Sequence, residues 1–270
     1  MLLQNGAILI ADAHENEQRK GFWEFLQALK KGKISTPQLI LMGDIFDLLI
    51  GEISATHEFA KPYIELLEEL ALKIEIIYLE GNHDFNLSCF FKRVKIFNLQ
   101  EQPIKLNLHT SKGNNLVLNN AFIKLAHGDI FLPPLLQFTL KTLRNHYLLI
   151  FLNFLNIITC NFISNKILQN QNKKNLFYQI KDFENLAKKR YERYERYERY
   201  ERYERYERYE RYENLGFWVC EGHYHQNHQI NKENIKYLNL ASFAYERSFF
   251  VVEYQQEIKF REQKLRGQNV

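Results

Sequence analysis

Three short apolar runs in the first 85 residues stop abruptly at the same kind of polar cluster. Gly6 to Ala11 runs into Asp12-Ala13-His14. Leu39 to Met42 runs into Gly43-Asp44-Ile45-Phe46-Asp47, and Ile74 to Leu79 into Glu80-Gly81-Asn82-His83-Asp84. Each run has the length of a buried strand. Between them, Gln18 to Lys31 and Phe59 to Leu72 carry apolar residues at helical spacing. This alternation predicts crossover units and a sheet covered on at least one face. In such sheets the loops past the carboxyl ends of the strands form the binding crevice.

The second half begins with strands. Ile104 to Leu108 and Leu116 to Leu118 flank Gly113-Asn114-Asn115, a predicted hairpin turn. Phe122 to Ala126 ends in His127-Gly128-Asp129. After Pro133-Pro134 about 55 residues read as helix. Eight copies of Arg-Tyr-Glu follow, residues 190–213. Strand candidates return at Phe217 to Cys220, Tyr237 to Leu240 and Ser248 to Tyr254, with Gly222-His223-Tyr224-His225 between the first two. The 270 residues, 46% of them apolar, suit a single large domain over 1–270 with a helical insertion at 132–189.

The chain holds 26 Glu but six Asp, and Asp12, Asp44, Asp84 and Asp129 each lie within two residues of a His or Asn or directly follow a Gly. The short carboxylate is reserved for chemistry, while Glu and Lys solvate helix surfaces. Asp12, His14, Asp44, Asn82, His127, His223 and His225 offer only oxygen and nitrogen donors. That set suits Mn²⁺, Fe or Zn²⁺ and exceeds what one ion needs. Two ions about 3.5–4 Å apart would share a carboxylate and clamp phosphoryl oxygens. Cys89, Cys160 and Cys220 form no CxxC pair, which excludes a disulfide framework and a thiolate zinc site and suits a reducing compartment. The net charge of +4 does not point to nucleic acid. The start of the chain lacks the basic region of a signal peptide.

The series Asp12-x-His14, Gly43-Asp44-(x)₂-Asp47, Gly81-Asn82-His83-Asp84, His127-Gly128-Asp129 and Gly222-His223-x-His225 resembles the calcineurin-like metallophosphoesterases. All five blocks occur in the family's order. The resemblance implies a four-layer αββα sandwich of the α/β class and a dinuclear site holding two divalent ions, foremost Mn²⁺. Asp12, His14 and His225 would hold one ion and Asn82, His127 and His223 the other, with Asp44 bridging. His83 would stabilise the substrate phosphate or protonate the leaving oxygen, and water activated by the ions would attack. Asp47 and Asp84 would orient imidazoles or backbone around the ligands.

Leu41 to Gly51 further resembles the UDP-2,3-diacylglucosamine hydrolase branch, with its GDxF-(D/E)-xx-xG stretch. Gly81-Asn82-His83-Asp84-Phe85 fits that branch, some members of which carry Arg where His83 stands. Tyr237 to Phe243 is similar to its N-x-G-(D/S)-W strand, from which Ala241 and Phe243 depart. The branch implies an acylated nucleotide-sugar substrate, split at its pyrophosphate into UMP and 2,3-diacylglucosamine 1-phosphate in lipid A synthesis. Alternatives are a soluble phosphodiesterase or nucleotide pyrophosphatase of the same fold, and a binding scaffold without catalysis.

Tyr147 to Ile163 is apolar at 13 of 17 positions and is flanked by Lys141, Arg144, Lys166, Lys173 and Lys174. It is too short and polar for an ordinary span. Beside a phosphatase site, such a segment suits acyl chains or an anionic membrane surface. The expectation is a cytoplasmic protein, peripheral on the inner membrane. In the repeat, a period of three turns each residue type about −60° per copy, and i,i+4 Glu–Arg pairs favour helix. A solvated helical spacer about 36 Å long is expected, free of a fixed apolar stripe and dispensable for chemistry. Every Arg there has a Glu neighbour, so nucleic acid is not the expected partner.

Overall fold

The structure is a computed structural model and describes residues 1–108, 121–173, 175–204, 217–232, 235–254 and 257–265. The first half runs through β1 (Leu2–Leu3), β2 (Ala7–Ile10), α1 (Gly21–Lys30), β3 (Gln38–Leu41), β4 (Leu49–Ile50), α2 (His57–Leu70), β5 (Glu75–Leu79), β6 (Asp84–Phe85), β7 (Lys95–Phe97), β8 (Ile104–Leu108) and β9 (Phe122–Ala126). Then come α3 (Pro134–Leu143), α4 (His146–Ile158), α5 (Phe162–Asn172) and α6 (Phe183–Glu204). The chain closes with β10 (Trp218–Glu221), β11 (His228–Lys232), β12 (Ile235–Asn239), α7 (Phe243–Glu246), β13 (Ser248–Tyr254) and β14 (Ile258–Lys264).

Two six-stranded sheets result, ordered β14-β13-β2-β3-β5-β7 and β1-β8-β9-β10-β12-β11. In the first, β2, β3, β5 and β7 are parallel, as crossover units require. In the second, β9, β10 and β12 are parallel. Alternating side chains divide the core between layers. Ile8, Ile10, Leu39 and Leu41 face Phe22, Phe25 and Leu26 of α1 and Leu66 and Leu67 of α2. Their neighbours Ala7, Leu9 and Ile40 face the second sheet, meeting Ile123, Leu125, Trp218 and Cys220. On that sheet's far side Phe122, Val219 and Tyr237 pack against Phe183, Ala187, Tyr191 and Tyr194 of α6. The molecule is therefore a four-layer αββα sandwich.

The identity of its fourth layer corrects the expected solvated spacer. α6 starts at Phe183, inside the stretch read as insertion, and continues into the repeat as far as Glu204. Phe183, Ala187, Arg190, Tyr191, Tyr194 and Glu198 are buried along one helix face. The drift of a period-three repeat does occur, and the sheet accommodates it. Tyrosine occupies the buried stripe at 191 and 194, and glutamate has rotated in by 198. There the second sheet supplies Lys124, 1% exposed, with Nζ 2.6 Å from a Glu198 carboxylate oxygen. Lys105 reaches the other oxygen at 3.2 Å. Repeat residues 205–213, the turn at 113–115 and Leu116 to Leu118 lie outside the described residues.

Helices α3, α4 and α5 lie within the stretch 132–189, read from the sequence as an insertion. Leu149 of α4 anchors it against Ile53 and Phe85 beside the small β4–β6 pair. Leu152 packs beside it, but Leu135, Phe138, Tyr147, Phe151, Phe154, Ile157, Ile158 and Phe162 are all exposed. No single described helix is long and apolar enough to cross a membrane. α4 and α5 reach that length together but bend by 101° at their junction.

Candidate metal centre

The parallel strands β2, β3, β5, β9 and β10 end in tight turns, and these turns meet. Asp12, His14, Asp44, His223 and His225 all take left-handed backbone, with φ between 42° and 62°. Few non-glycine residues do so, and such strain persists where the surroundings impose it. Here the surroundings do. Asp84 Oδ1 accepts from the Asp44 amide at 2.9 Å, and Oδ2 from the Ile45 amide at 2.6 Å and from Tyr78 Oη at 2.5 Å. The Ser242 hydroxyl donates to the Asp12 carbonyl at 3.0 Å. Asn239 ties down the His223–His225 turn, donating to the Gly222 carbonyl at 2.6 Å and accepting from the Gln226 amide at 2.8 Å. Gly81 is required by close approach, because a Cβ there would overlap the Asp44 carboxylate.

All seven ligand candidates fall in one cluster. Asp12, His14 and His225 form one group, and Asp44, His127 and His223 a second. A third group joins His14 and Asp44 with His83, so Asp44 lies between the first two. Ligating atoms within each group are at most 4.8 Å apart. Asn82 Oδ1 is 3.3 Å from His127 Nε2, which is 3.3 Å from His223 Nδ1.

The tautomers decide what the cluster needs. His127 Nδ1 faces the Met42 carbonyl at 2.8 Å, His83 Nδ1 the Asp47 carbonyl at 2.9 Å, and His225 Nδ1 the Leu176 carbonyl at 2.9 Å. A carbonyl only accepts, so each Nδ1 carries a hydrogen and each neutral ring turns an Nε2 lone pair inward. Those lone pairs meet carboxylates: His225 Nε2 is 3.1 Å from Asp12 Oδ1, and His127 Nε2 3.5 Å from Asp44 Oδ2. Lone pair against anion is repulsive unless a proton or cation lies between. The donor set, its burial and its geometry fit divalent ions.

Charges follow the same logic. Burial would raise the Asp44 carboxyl, but His127 and His83 beside it hold it well below its ordinary value. Burial would lower His127, and Asp44 instead holds it well above. Burial and the charge on His127 push His223 down to about 4. Burial, then the neighbouring Asp44 charge, push the Asp84 carboxyl up to about 7. Asp47 lies beneath the centre, with Oδ1 3.4 Å from His14 Nδ1 and Oδ2 2.5 Å from both Arg19 and Asn16.

Several supporting residues escaped sequence reasoning. Gln102 accepts from the His127 amide at 2.7 Å. Arg144, between α3 and α4, donates from Nη2 to the Gly81 carbonyl at 2.6 Å and to Asp129 at 3.0 Å. Asn239 stood in a quoted block, which was its signal; Gln102 had none, and Arg144, expected as a basic flank facing headgroups, instead turns its guanidinium inward to Gly81 and Asp129. A cavity of about 990 Å³ lies alongside rather than over the centre, lined by Glu80, Gln102, Phe131, Phe138, Lys141 and Arg144.

Residues 7–227 match the family model described as calcineurin-like phosphoesterase. A UDP-2,3-diacylglucosamine hydrolase of Azotobacter vinelandii is 29% identical over 124 residues, 45% of this chain and 47% of that protein. One of Coxiella burnetii is 28% identical over 123 residues, 45% and 46% of the two chains. The chain thus spans about half the length of the curated relatives it matches. A solved structure described as Yfce, a phosphoesterase from E. coli, aligns over 96% of this chain and 99% of that one at 13% identity and a TM-score of 0.40. With five turns bearing candidate ligands at one edge of an αββα sandwich and a family match across most of its length, this chain belongs to the calcineurin-like phosphoesterases, a family of metal-dependent hydrolases.

Proposed function

We propose that the protein hydrolyses the pyrophosphate bond of UDP-2,3-diacylglucosamine, releasing UMP and 2,3-diacylglucosamine 1-phosphate, at the cytoplasmic face of the inner membrane. The observation that carries this reading is the attachment of an exposed apolar insertion to the metal centre. Arg144 bonds the residue preceding Asn82, while α3 to α5 leave aromatic and aliphatic side chains uncovered. Acyl chains need such a surface near a phosphoester site. The adjoining cavity offers room for a substrate larger than a phosphomonoester, and the two relatives named above carry this activity in their names.

In this reading Asp12, His14 and His225 would hold one Mn²⁺ and Asn82, His127 and His223 the other, with Asp44 available to both. Two such ions supply charge stabilisation for the phosphoryl oxygens and lower the pKa of water. The chain's own groups do the rest. His83, held by its Nδ1 bond to the Asp47 carbonyl, turns Nε2 toward Asp44 at 3.9 Å. With a second proton on Nε2, the His83 imidazolium would give that proton to the leaving oxygen or stabilise charge on the phosphoryl group. Asp47, Asp84 and Asn239 hold the ligand turns in their left-handed geometry.

The decisive assay compares UDP-2,3-diacylglucosamine with unacylated UDP-sugars and a generic phosphodiester, with Mn²⁺ and with a chelator. We expect the acylated substrate to be preferred by at least about 100-fold in kcat/KM, roughly 2.7 kcal/mol, with no turnover under chelation. Equal rates on soluble nucleotides would make the protein a soluble phosphodiesterase or nucleotide pyrophosphatase. Absence of any hydrolysis with bound metal would make it a scaffold.

The insertion also makes a prediction about membranes. Exposed Phe151, Phe154 and Phe162 with Lys141 and Lys166 nearby should bring the protein to anionic vesicles at low salt, and screening should weaken binding as salt rises. Co-sedimentation measures this. A protein that stays in the supernatant at low salt contradicts the interfacial role.

A further inference from the structure

The first arginine of the repeat, Arg190, reaches both histidine turns of the second sheet. Its guanidinium is 3% exposed and forms a two-pronged pair with fully buried Glu221, Nε to Oε2 at 2.6 Å and Nη2 to Oε1 at 2.5 Å. Nη2 also donates to the Gly128 carbonyl at 3.0 Å and the Ile130 carbonyl at 3.1 Å. Nη1 donates to the Tyr224 hydroxyl at 2.9 Å. Tyr194 and Tyr237 complete the set, donating to Glu221 at 2.6 and 2.5 Å.

The neighbours of these contacts are telling. Gly128 follows His127, Glu221 stands two residues before His223, and Tyr224 follows it. One planar group thus fixes both turns whose imidazole nitrogens face each other at 3.3 Å. Burying an ion pair adds little stability over apolar packing of the same volume. Its value here is geometric, because a bidentate guanidinium fixes direction as well as distance.

We propose that Arg190 and Glu221 are positioning residues that set the spacing of His127 and His223, so that occupancy of the Asn82–His127–His223 ion depends on the outer helix. This rests on the reading of the His/Asp cluster as a dinuclear metal centre. It reaches beyond that reading by making the head of the repeat part of the centre's construction.

The test uses the full chain stripped of metal, with Mn²⁺ as probe. Three proteins are compared: the parent, Arg190→Lys, and the double variant Arg190→Met/Glu221→Leu. The double variant replaces the pair by apolar groups of similar size, so it should retain a cooperative thermal transition. Titration calorimetry should show two Mn²⁺ in the parent, and in both variants an affinity for one of them lower by about 10–100-fold. Electron paramagnetic resonance should show exchange-coupled Mn²⁺ in the parent and isolated ions in the variants, a change that loss of stability alone would not produce. A folded double variant that binds two coupled Mn²⁺ as tightly as the parent overturns the clamp. A parent that binds no Mn²⁺ instead overturns the metal-centre reading, and the clamp with it.

Discussion

Asp44→Ala should leave no measurable hydrolysis of any phosphoester and fewer than two bound metal ions. Asp44 belongs to two of the three ligand groups, and its Oδ2 lies 3.5 Å from His127 Nε2. Removing it should cost more than the roughly 10–100-fold typical of outer-shell partners, because the shared anion itself is lost. The fold should survive. Asp84 grips the backbone amides of Asp44 and Ile45 rather than the Asp44 side chain, and alanine keeps those amides. The Oδ1 bond from the His83 amide at 2.8 Å is lost, which should loosen that turn without opening the sheet. Metal analysis beside hydrolysis of a generic phosphodiester checks this. Near-parent turnover would remove Asp44 from the centre.

Two glutamates of the repeat should behave in opposite ways. Glu198→Ala takes away the carboxylate 2.6 Å from Lys124, a lysine 1% exposed in the middle of β9. Removing one partner of a buried pair costs about 3–5 kcal/mol, a large part of the roughly 5–15 kcal/mol that holds a domain together. Glu192→Ala, on the exposed face of the same helix, should stay within about 0.5 kcal/mol. Deleting Arg193 to Glu210 should resemble Glu198→Ala. That deletion removes five whole turns and brings Tyr212 to the place of Tyr194, but Gly216 falls where Glu198 stood. The repeat is therefore expected to matter for stability, where the sequence alone suggested a spacer dispensable for chemistry. Denaturant unfolding of the three variants checks this. Equal, small effects would restore the reading of a solvated spacer.

Much of the site was legible because its signals are local. An apolar run that stops at Gly-Asp or Gly-Asn-His marks a strand end and its turn together, so Asp12, Asp44, Asn82, His127 and His223 could each be placed just past the carboxyl end of a strand. Strands β7, β11 and β14 were not read. Their sequences, Lys95-Ile96-Phe97, His228 to Lys232 and Ile258 to Lys264, lie at or beside sheet edges and include charged, exposed positions. Their pairing is supplied by a neighbour rather than by their own alternation. Glu221 and Lys124 were hidden for another reason. A charge inside a strand-length apolar run looks like a solvent-facing position unless the partner above it is known.

Periodicity and turn residues already specified most strands, donor chemistry the seven candidate ligands, and five motif blocks in order the resemblance to the family, since each depends on residues a few positions apart. Packing settled three further matters: that α6, carrying the described part of the repeat, lies in the fourth layer, that Arg190 joins the two histidine turns, and that Arg144 ties α3 and α4 to Gly81. A helix carries its phase in its own sequence. Which residue of that phase is buried depends on the sheet it meets, and for a repeat that drifts by about 60° per copy every face looks alike until the sheet offers Tyr237, Glu221 and Lys124 in turn.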